Sequence, residues 1–452
     1  MQFDTDTIVA ISTPPGRGGI GIVRLSGPQA RAIAEPLCRL RHPLAAGRAR
    51  FAELLDESGH TLDEAVVTSF AAPRSYTAED VVEIACHGSP VLLDYVVRAC
   101  LGRGARLAEP GEFTQRAFLS GRLDLTQAEA VNDLIASQTL HQARTAAAQL
   151  GGSVARSIAP VKQQLIHLIA ELEAGIDFAE DDLDLMPQPQ IVAAIDGIRA
   201  SLATLAATYR YGRIVREGFT LAIVGQPNAG KSSLFNRLLE RERAIVTAQP
   251  GTTRDAISER LAIGGVPVEL IDTAGLRDAP EGEAETQGIL RSRTTMAEAD
   301  FVVLVVDASI SMDVHDRATL ESLAGRPHRI VLNKCDLLAA RPICNQFSSP
   351  PIFVSAKTGE GLEELKQSIL RTLTESVPES DTALVTNLRQ HEAIADAVAN
   401  LERAHLAATG SLPHEMLLLD LHAGLEALDR LTGATTTDDI LSLIFSTFCI
   451  GK

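Results

Sequence analysis

The feature that most constrains this chain is Gly225-Gln226-Pro227-Asn228-Ala229-Gly230-Lys231-Ser232, which satisfies G-x-x-x-x-G-K-[ST] with no departure. An apolar run of strand length, residues 219–224, precedes it, and a helical run, residues 233–240, follows it. A glycine-rich turn between strand and helix aims backbone N–H groups at phosphate, and the helix N-terminus favours negative charge. Further apolar runs at 268–271, 301–306, 329–332 and 352–354 each lead into a polar loop. That alternation predicts a mostly parallel sheet with crossover helices.

In such a turn Lys231 reaches the β- and γ-phosphates, and Ser232 ligates Mg²⁺. Ala229, Gly230 and Ser233 complete the cradle. Asp272-Thr273-Ala274-Gly275 follows the second run. Asp272 is placed to hold Mg²⁺ through water, and Gly275 to offer its N–H to the γ-phosphate. Asn333-Lys334-Cys335-Asp336 ends a later strand, and Ser355-Ala356-Lys357 ends the last. A carboxylate at Asp336 accepts from guanine N1–H and the exocyclic amine together; adenine offers no such pair. A backbone N–H at Ser355-Ala356-Lys357 meets guanine O6. Loops at the carboxyl ends of parallel strands are where ligands sit in such sheets. The set therefore predicts a GTPase. Gly251-Thr252-Thr253-Arg254-Asp255 occupies the position of a switch loop, with Thr253 the hydroxyl that joins Mg²⁺. Ras-type GTPases orient water with a Gln directly after the Asp-x-x-Gly element; here that residue is Leu276. Something else must neutralise the developing charge: Arg254, Arg277 or a monovalent cation.

At 452 residues the chain has room for two to four domains. Residues 1–120 mix β-like runs (20–24, 65–70, 81–84) with helical stretches and read as an α+β domain. Residues 121–216 are helical in texture, with Leu165, Leu168, Ile169 and Leu172 on one face and Pro160, Pro187 and Pro189 as punctuation. The α/β module occupies 217–376. Residues 377–452 turn helical again, with Leu418, Leu421, Leu425 and Leu428 at helical spacing. The two helical pieces predict one split domain with the module inserted between them, a multidomain α/β architecture. The formal charge of −17, from 41 basic and 58 acidic side chains, excludes general polyanion binding by bulk charge, so any nucleic-acid contact must be local. The acidic run from Glu171 to Asp184 reads as a solvated helix end. None of the six cysteines forms a C-x-x-C pair, which argues against zinc and for a reducing compartment. Cys86-His87 is no nucleophile–base pair, because strand neighbours face opposite ways. The N-terminus lacks the positive charge of a signal peptide, no run of 18 apolar residues exists, and Gly451 and Lys452 spoil a prenylation box. These readings predict a cytoplasmic protein with no membrane partner.

The chain resembles the MnmE (TrmE) family of tRNA-modifying GTPases, in the TrmE-Era-EngA-like group of Ras-type GTPases, over its whole length. The carrying motifs are residues 13–21 (TPPGRGGIG), 110–118 (PGEFTQRAF), 225–233, 251–255 and the tail Phe448-Cys449-Ile450-Gly451-Lys452. The resemblance implies a potassium-activated enzyme. Asn228 would ligate K⁺ with groups of Thr247, Gln249 and Thr252, and the cation would replace an arginine finger. Glu285, before Gly288, would help set the attacking water, with Glu283 and Glu281 as rivals because 278–283 is longer than the family pattern. The N-terminal domain of the family is similar to folate-dependent one-carbon enzymes; it dimerises and binds a tetrahydrofolate derivative (5-formyl- or methylene-tetrahydrofolate). The matching positions are Arg24, Glu83, Arg122 and Lys452. Arg122 stands where some relatives carry Lys, which keeps charge and alters geometry. Cys449 is a possible reactive thiol. The resemblance further implies a homodimer that joins the flavoprotein MnmG (GidA) in a heterotetramer-type complex. Together they would add a carboxymethylaminomethyl or aminomethyl group to carbon 5 of the wobble uridine of certain tRNAs. The alternatives are a ribosome-assembly or regulatory GTPase switch without a tRNA modification role, and a folate-dependent aminomethyltransferase with an idle GTPase. The first would be expected to carry an appendage such as a KH domain, and no GXXG loop in a basic setting is found.

Overall fold

A computed structural model describes residues 6–177, 186–242, 258–272, 299–341, 347, 349–374, 383–410, 412–435, 441 and 444–451. They fall into two compact units, one of residues 1–132, 150–155 and 429–452, the other of 133–149 and 156–428.

The first unit is built on strands β1 (Ile8–Ile11), β2 (Gly18–Ser26), β3 (Cys38–Leu40), β4 (Arg48–Leu55), β5 (Thr61–Phe70), β6 (Val81–Gly88) and β7 (Arg106–Leu107). They form one sheet in the order β3-β4-β5-β6-β2-β1-β7, antiparallel except where β1 meets β7. Period-two alternation assigns the faces. Val23 and Leu25 of β2, with Val82, Ile84 and Cys86 of β6, point into a core covered by the helix Pro90–Leu101. Gly21 lies on that inner face, where a Cβ would fall 2.5 Å from a Leu93 methyl; only glycine lets the helix approach so closely. Arg24 and Glu83 take the other face and are directly paired in register. The helix Glu112–Leu119 and residues 125–132 complete this unit with the C-terminal residues: Leu441, Phe445 and Phe448 bury against Ala117, Leu125 and Ala128.

In the second unit, strands β8 (Phe219–Val224), β9 (Ser258–Ile263), β10 (Val266–Asp272), β11 (Phe301–Asp307), β12 (His328–Asn333) and β13 (Ile352–Phe353) lie in the order β13-β12-β11-β8-β10-β9. All pairings are parallel except β9 with β10. The antiparallel edge strand β9 is the one member that the apolar runs do not announce. β11 is buried along almost its entire length, as expected for a strand covered on both faces. The helices Lys231–Glu242 and Leu362–Thr374 lie on one side, with Leu323 and Ile330 in a second cluster on the other.

The helices on either side of the α/β module pack together. Ile191, Ile195, Ile198, Leu202 and Leu205 of Gln188–Ala207 form a buried stripe, and this helix contacts Leu388–Thr409 with its buried Ala393, Ala397, Leu401 and Ala404. Small alanines let the two axes approach. By composition residues 188–217 could also cross a membrane. That apolar stripe is instead spent on a protein core. The chain returns to the helices beside Gly212, where a Cβ would meet the Val385 carbonyl oxygen at 2.0 Å.

One local expectation is corrected. Pro160 does not interrupt the helix but lies inside Ser153–Asp177. A proline there removes one backbone donor, and burial of Ile158, Val161, Leu165, Leu168 and Leu172 along the same helix outweighs that loss. In His414–Thr432 the fully buried leucines are Leu417, Leu421, Leu428 and Leu431, while Leu418 and Leu425 are only half-buried. The helix expected from the leucine spacing is present, and its buried stripe runs along Leu417, Leu421, Leu428 and Leu431.

Candidate functional site

The parallel registers fix where the loops emerge. Asp272 pairs with Ile223, Leu304 with Val224, Asp307 with Asn333, and Leu332 with Phe353. The carboxyl ends of β8, β10, β11, β12 and β13 therefore share one edge. β8 is central, with the chain departing to β10 on one side and to β11 on the other, so the loop after β8 sits where strand order reverses.

That loop is held by backbone geometry. Gly225 has φ +145°, and a Cβ on it would lie 2.1 Å from the Val305 carbonyl oxygen. Gly230 has φ +91°, and a Cβ there would overlap the Asn333 amide nitrogen. Asn228 takes the left-handed conformation at φ +63°. Lys231 opens the helix Lys231–Glu242 and donates from Nζ to the carbonyls of Gly225 and Gln226, both at 2.9 Å. Its ammonium thus lies across the loop. Ser232 and Ser233 occupy the first turn of that helix.

Asn333, 2% exposed, ties three loops together. Its Nδ2 donates to the Ala229 carbonyl at 2.8 Å, and its Oδ1 accepts from the Ala356 N–H at 3.0 Å. Ser355 is buried and donates from Oγ to Asp336 Oδ1 at 2.6 Å, which aims the exposed Asp336. Lys334 adopts φ +64°, and its Nζ lies 2.5 Å from Asp307 Oδ2. Burial works against ionisation of Asp307, but Lys334 and the N–H and hydroxyl of Ser309 outweigh it and hold this carboxyl below its ordinary range. Asn228, Ala229, Gly230, Lys231, Asn333, Lys334, Asp336, Ser355 and Ala356 thus line one continuous edge, and Lys357 accepts from Arg237 through its carbonyl. Asp307 was not among the residues singled out in the sequence; its only signal is its place at the end of the apolar run 301–306. Thr247, Gln249, Thr252, Thr253, Thr273, Ala274, Gly275, Glu281, Glu283 and Glu285 lie outside the described residues, as do Arg254, Leu276, Arg277 and Lys452; Asp272 is described only as the end of β10.

The N-terminal candidates also converge. Arg24 pairs with Glu83 at 2.8 Å and places its guanidinium 5.4 Å from the centre of the Tyr76 ring and 5.7 Å from that of Phe113. Arg122 lies over the same Tyr76 ring at 5.3 Å and donates to the Tyr76 carbonyl at 2.6 Å. The Tyr76 hydroxyl shares a 2.8 Å hydrogen bond with Thr114. Tyr76 is the centre of this cluster, and nothing in its sequence neighbourhood marks it.

The model of the MnmE helical domain matches residues 125–449, and that of the GTP-binding protein TrmE N-terminus matches residues 7–122. The tRNA modification GTPase MnmE of Koribacter versatilis is 55% identical, with 100% of both chains covered. The chain belongs to the MnmE family. The proteins of the same name from Heliobacterium modesticaldum and Aquifex aeolicus are 43% and 42% identical; 99% of this chain is covered in each case, with 99% and 100% of theirs.

Two of the motifs that carry the MnmE resemblance meet in the structure. Pro110 and Ile450 form an isolated β-bridge, the Gly111 N–H donates to the Cys449 carbonyl at 3.4 Å, and Ser12 Oγ donates to the Gly451 carbonyl at 3.1 Å. Gly111, at φ +68°, would drive a Cβ to 2.7 Å from the Phe445 carbonyl oxygen. Cys449 is exposed. The charged members of PGEFTQRAF build a buried network. Arg116, with its side chain 6% exposed, pairs with Glu112 at 2.9 Å and Asp6 at 2.6 Å, and Glu112 also pairs with Arg106 at 2.6 Å. Burial opposes ionisation of Glu112 and Asp6, but the two arginines outweigh it and hold both carboxyls below their ordinary values. Cys86 faces the core, where burial and the Asp63 charge push its thiol up to about 11, whereas His87 faces out and bonds Asp63 at 2.6 Å.

Proposed function

We propose that this chain is a potassium-dependent GTP hydrolase that works with the flavoprotein MnmG on the wobble uridine of certain tRNAs. The observation that carries the nucleotide half is the Asn333 tie, which gathers the phosphate loop and both base-reading loops at one sheet edge. Asp336 accepts from guanine, and Lys231 with the first helical turn receives the phosphates. The site's donor set suits hard cations. Ser232 offers a hydroxyl oxygen for Mg²⁺, and Asn228, turned into the left-handed region, offers an amide oxygen for K⁺. A bound cation supplies charge neutralisation at the phosphates; Thr253 would join Mg²⁺ in the triphosphate state. Thr247, Gln249 and Thr252 would complete the K⁺ shell, and Glu285 would orient water.

The modification half rests on family membership, since relatives bear the name tRNA modification GTPase. In the N-terminal unit, Tyr76 presents a flat aromatic wall to two guanidiniums, a setting that suits a flat heteroaromatic with carboxylates, as in a tetrahydrofolate derivative. Arg24, Glu83, Arg122 and Lys452 are its proposed contacts, and Cys449 a nearby thiol. The outer face of the same sheet exposes Phe51 and Val66, which are paired in register, and we assign the homodimer to this domain. The proposed division is 1–120 for folate and dimerisation, 121–216 and 377–452 for the split helical domain, and 217–376 for GTP hydrolysis, in the cytoplasm.

The test is mass analysis of wobble uridines in cells lacking the gene, with GTP turnover of the purified protein measured in K⁺ and in Na⁺. The expected outcome is loss of the 5-substituent and at least about tenfold slower turnover in Na⁺. Unchanged tRNA would favour a binding switch and end the modification reading; unchanged turnover would end the potassium reading.

A further inference from the structure

We infer that Asp307 is a positioning residue for the guanine base, acting through Lys334. This rests on the guanine-site reading above and extends it to a residue outside the four motif loops.

Lys334 sits between Asn333, whose amide donates to one neighbouring loop and accepts from another, and the short 3-10 turn Cys335–Leu337 that carries Asp336. Its backbone is left-handed at φ +64°, so its side chain leaves the strand edge in a direction that ordinary extended backbone would not give. A lysine stem has four rotatable bonds, and an unheld ammonium would keep them all in motion. Here the ammonium is fixed at 2.5 Å from Asp307 Oδ2. Asp307 is itself immobilised, because its other oxygen accepts from the Ser309 N–H at 2.9 Å and the Ser309 hydroxyl at 2.6 Å. Its side chain is 12% exposed, while that of Lys334 is 34% exposed. The pair is therefore anchored at the protein end and open along the stem.

The open stem borders Asp336, two residues on, which is oriented from its far side by Ser355. A base read by the Asp336 carboxylate would have one face against the four methylenes of Lys334. The arrangement resembles a shelf whose bracket is the Asp307 carboxylate. β11 and β12 are paired in register at Asp307 and Asn333, so bracket and shelf come from adjacent strand ends with no loop between them to absorb error. The contact is to the apolar flank of the base, so Asp307 contributes affinity without itself distinguishing guanine from adenine. Selection by Asp336 remains intact.

The test is a double-mutant cycle on the full-length protein, with GDP and a fluorescent GDP analogue as probes. Asp307→Asn is expected to weaken GDP about tenfold, the scale of one charge-assisted hydrogen bond. Lys334→Ala should cost at least as much. In the Lys334→Ala background, Asp307→Asn should add less than about twofold, since its only route to the base is gone. Turnover at saturating GTP should be unchanged by Asp307→Asn, and the loss should appear in KM. Asp307→Glu, which retains charge, serves as the second variant and should recover part of the lost affinity. Additive losses in the cycle, or full GDP affinity in Asp307→Asn, would overturn the inference. Asp336→Asn separates the two readings: if it exchanges GDP for xanthosine diphosphate while Asp307→Asn binds normally, the guanine site stands and only the role of Asp307 falls.

Discussion

The nucleotide edge and the Tyr76 cluster solve the same problem, holding a flat heterocycle beside charge, by opposite means. The first is built from backbone: a left-handed Asn228, two glycines that leave no room for a Cβ, and a carbonyl and an N–H bridged by Asn333. The second is built from side chains that four separate segments bring together: Arg24 on β2, Glu83 on β6, Arg122 after a helix, and Tyr76 in a loop. A backbone site needs contiguous residues of restricted type, so it writes itself as a motif. A side-chain site needs only that several strands arrive in register, so it leaves no spacing to read.

This contrast predicts that the two sites fail independently. Lys231→Ala should reduce GTP turnover about a thousandfold, as expected for removal of a preorganised charge at the transferring phosphate. Binding of a reduced folate, followed by calorimetry, should be unchanged; a parallel loss would show the two regions to be one cooperative body. Glu112→Gln should instead strike the N-terminal unit. It leaves Arg106 and Arg116 without their shared carboxylate and should cost about 3 kcal/mol in denaturant unfolding. Because Glu112 and Asp6 have folded values depressed below their ordinary 4.5 and 3.8, their contribution is fully present above those values and drains away as pH falls below them. The variant should therefore show a shallower acid limb, and an unaltered limb would refute the network's role.

Asp336→Asn should weaken GTP about a hundredfold, by loss of charged hydrogen bonds to two guanine donors, and improve xanthosine triphosphate. Equal losses for both nucleotides would mean that the loop supports the site without reading the base. The smallest effect is expected at Tyr76. Tyr76→Ala removes the ring shared by both guanidiniums and should weaken the folate about tenfold, with GTP turnover intact. Tyr76→Phe loses only the Thr114 hydrogen bond and should lie close to the parent.

What could be read in advance follows the same division. The parallel strands appear as apolar runs because both faces are covered, and Gly225 and Gly230 are demanded because a Cβ would strike the Val305 carbonyl at the first and the Asn333 amide nitrogen at the second. β9 escaped because an edge strand need not be apolar on both sides. Pro160 misled because a long buried stripe outweighs one missing donor. Asp307 and Tyr76 were missed for a common reason: each matters through a partner 27 or 46 residues away, and only the register of strands or the path of a loop brings the pair together.

The Asn333 amide has one further consequence, for how the molecule ages. Its nitrogen must donate and its oxygen must accept, each toward a different segment of main chain. Spontaneous hydrolysis to aspartate would change its mass by about one dalton and its volume hardly at all, yet it would set a negatively charged oxygen against the Ala229 carbonyl. A chemical event barely visible to size or shape would then part loops that no other described side chain fastens together in this way.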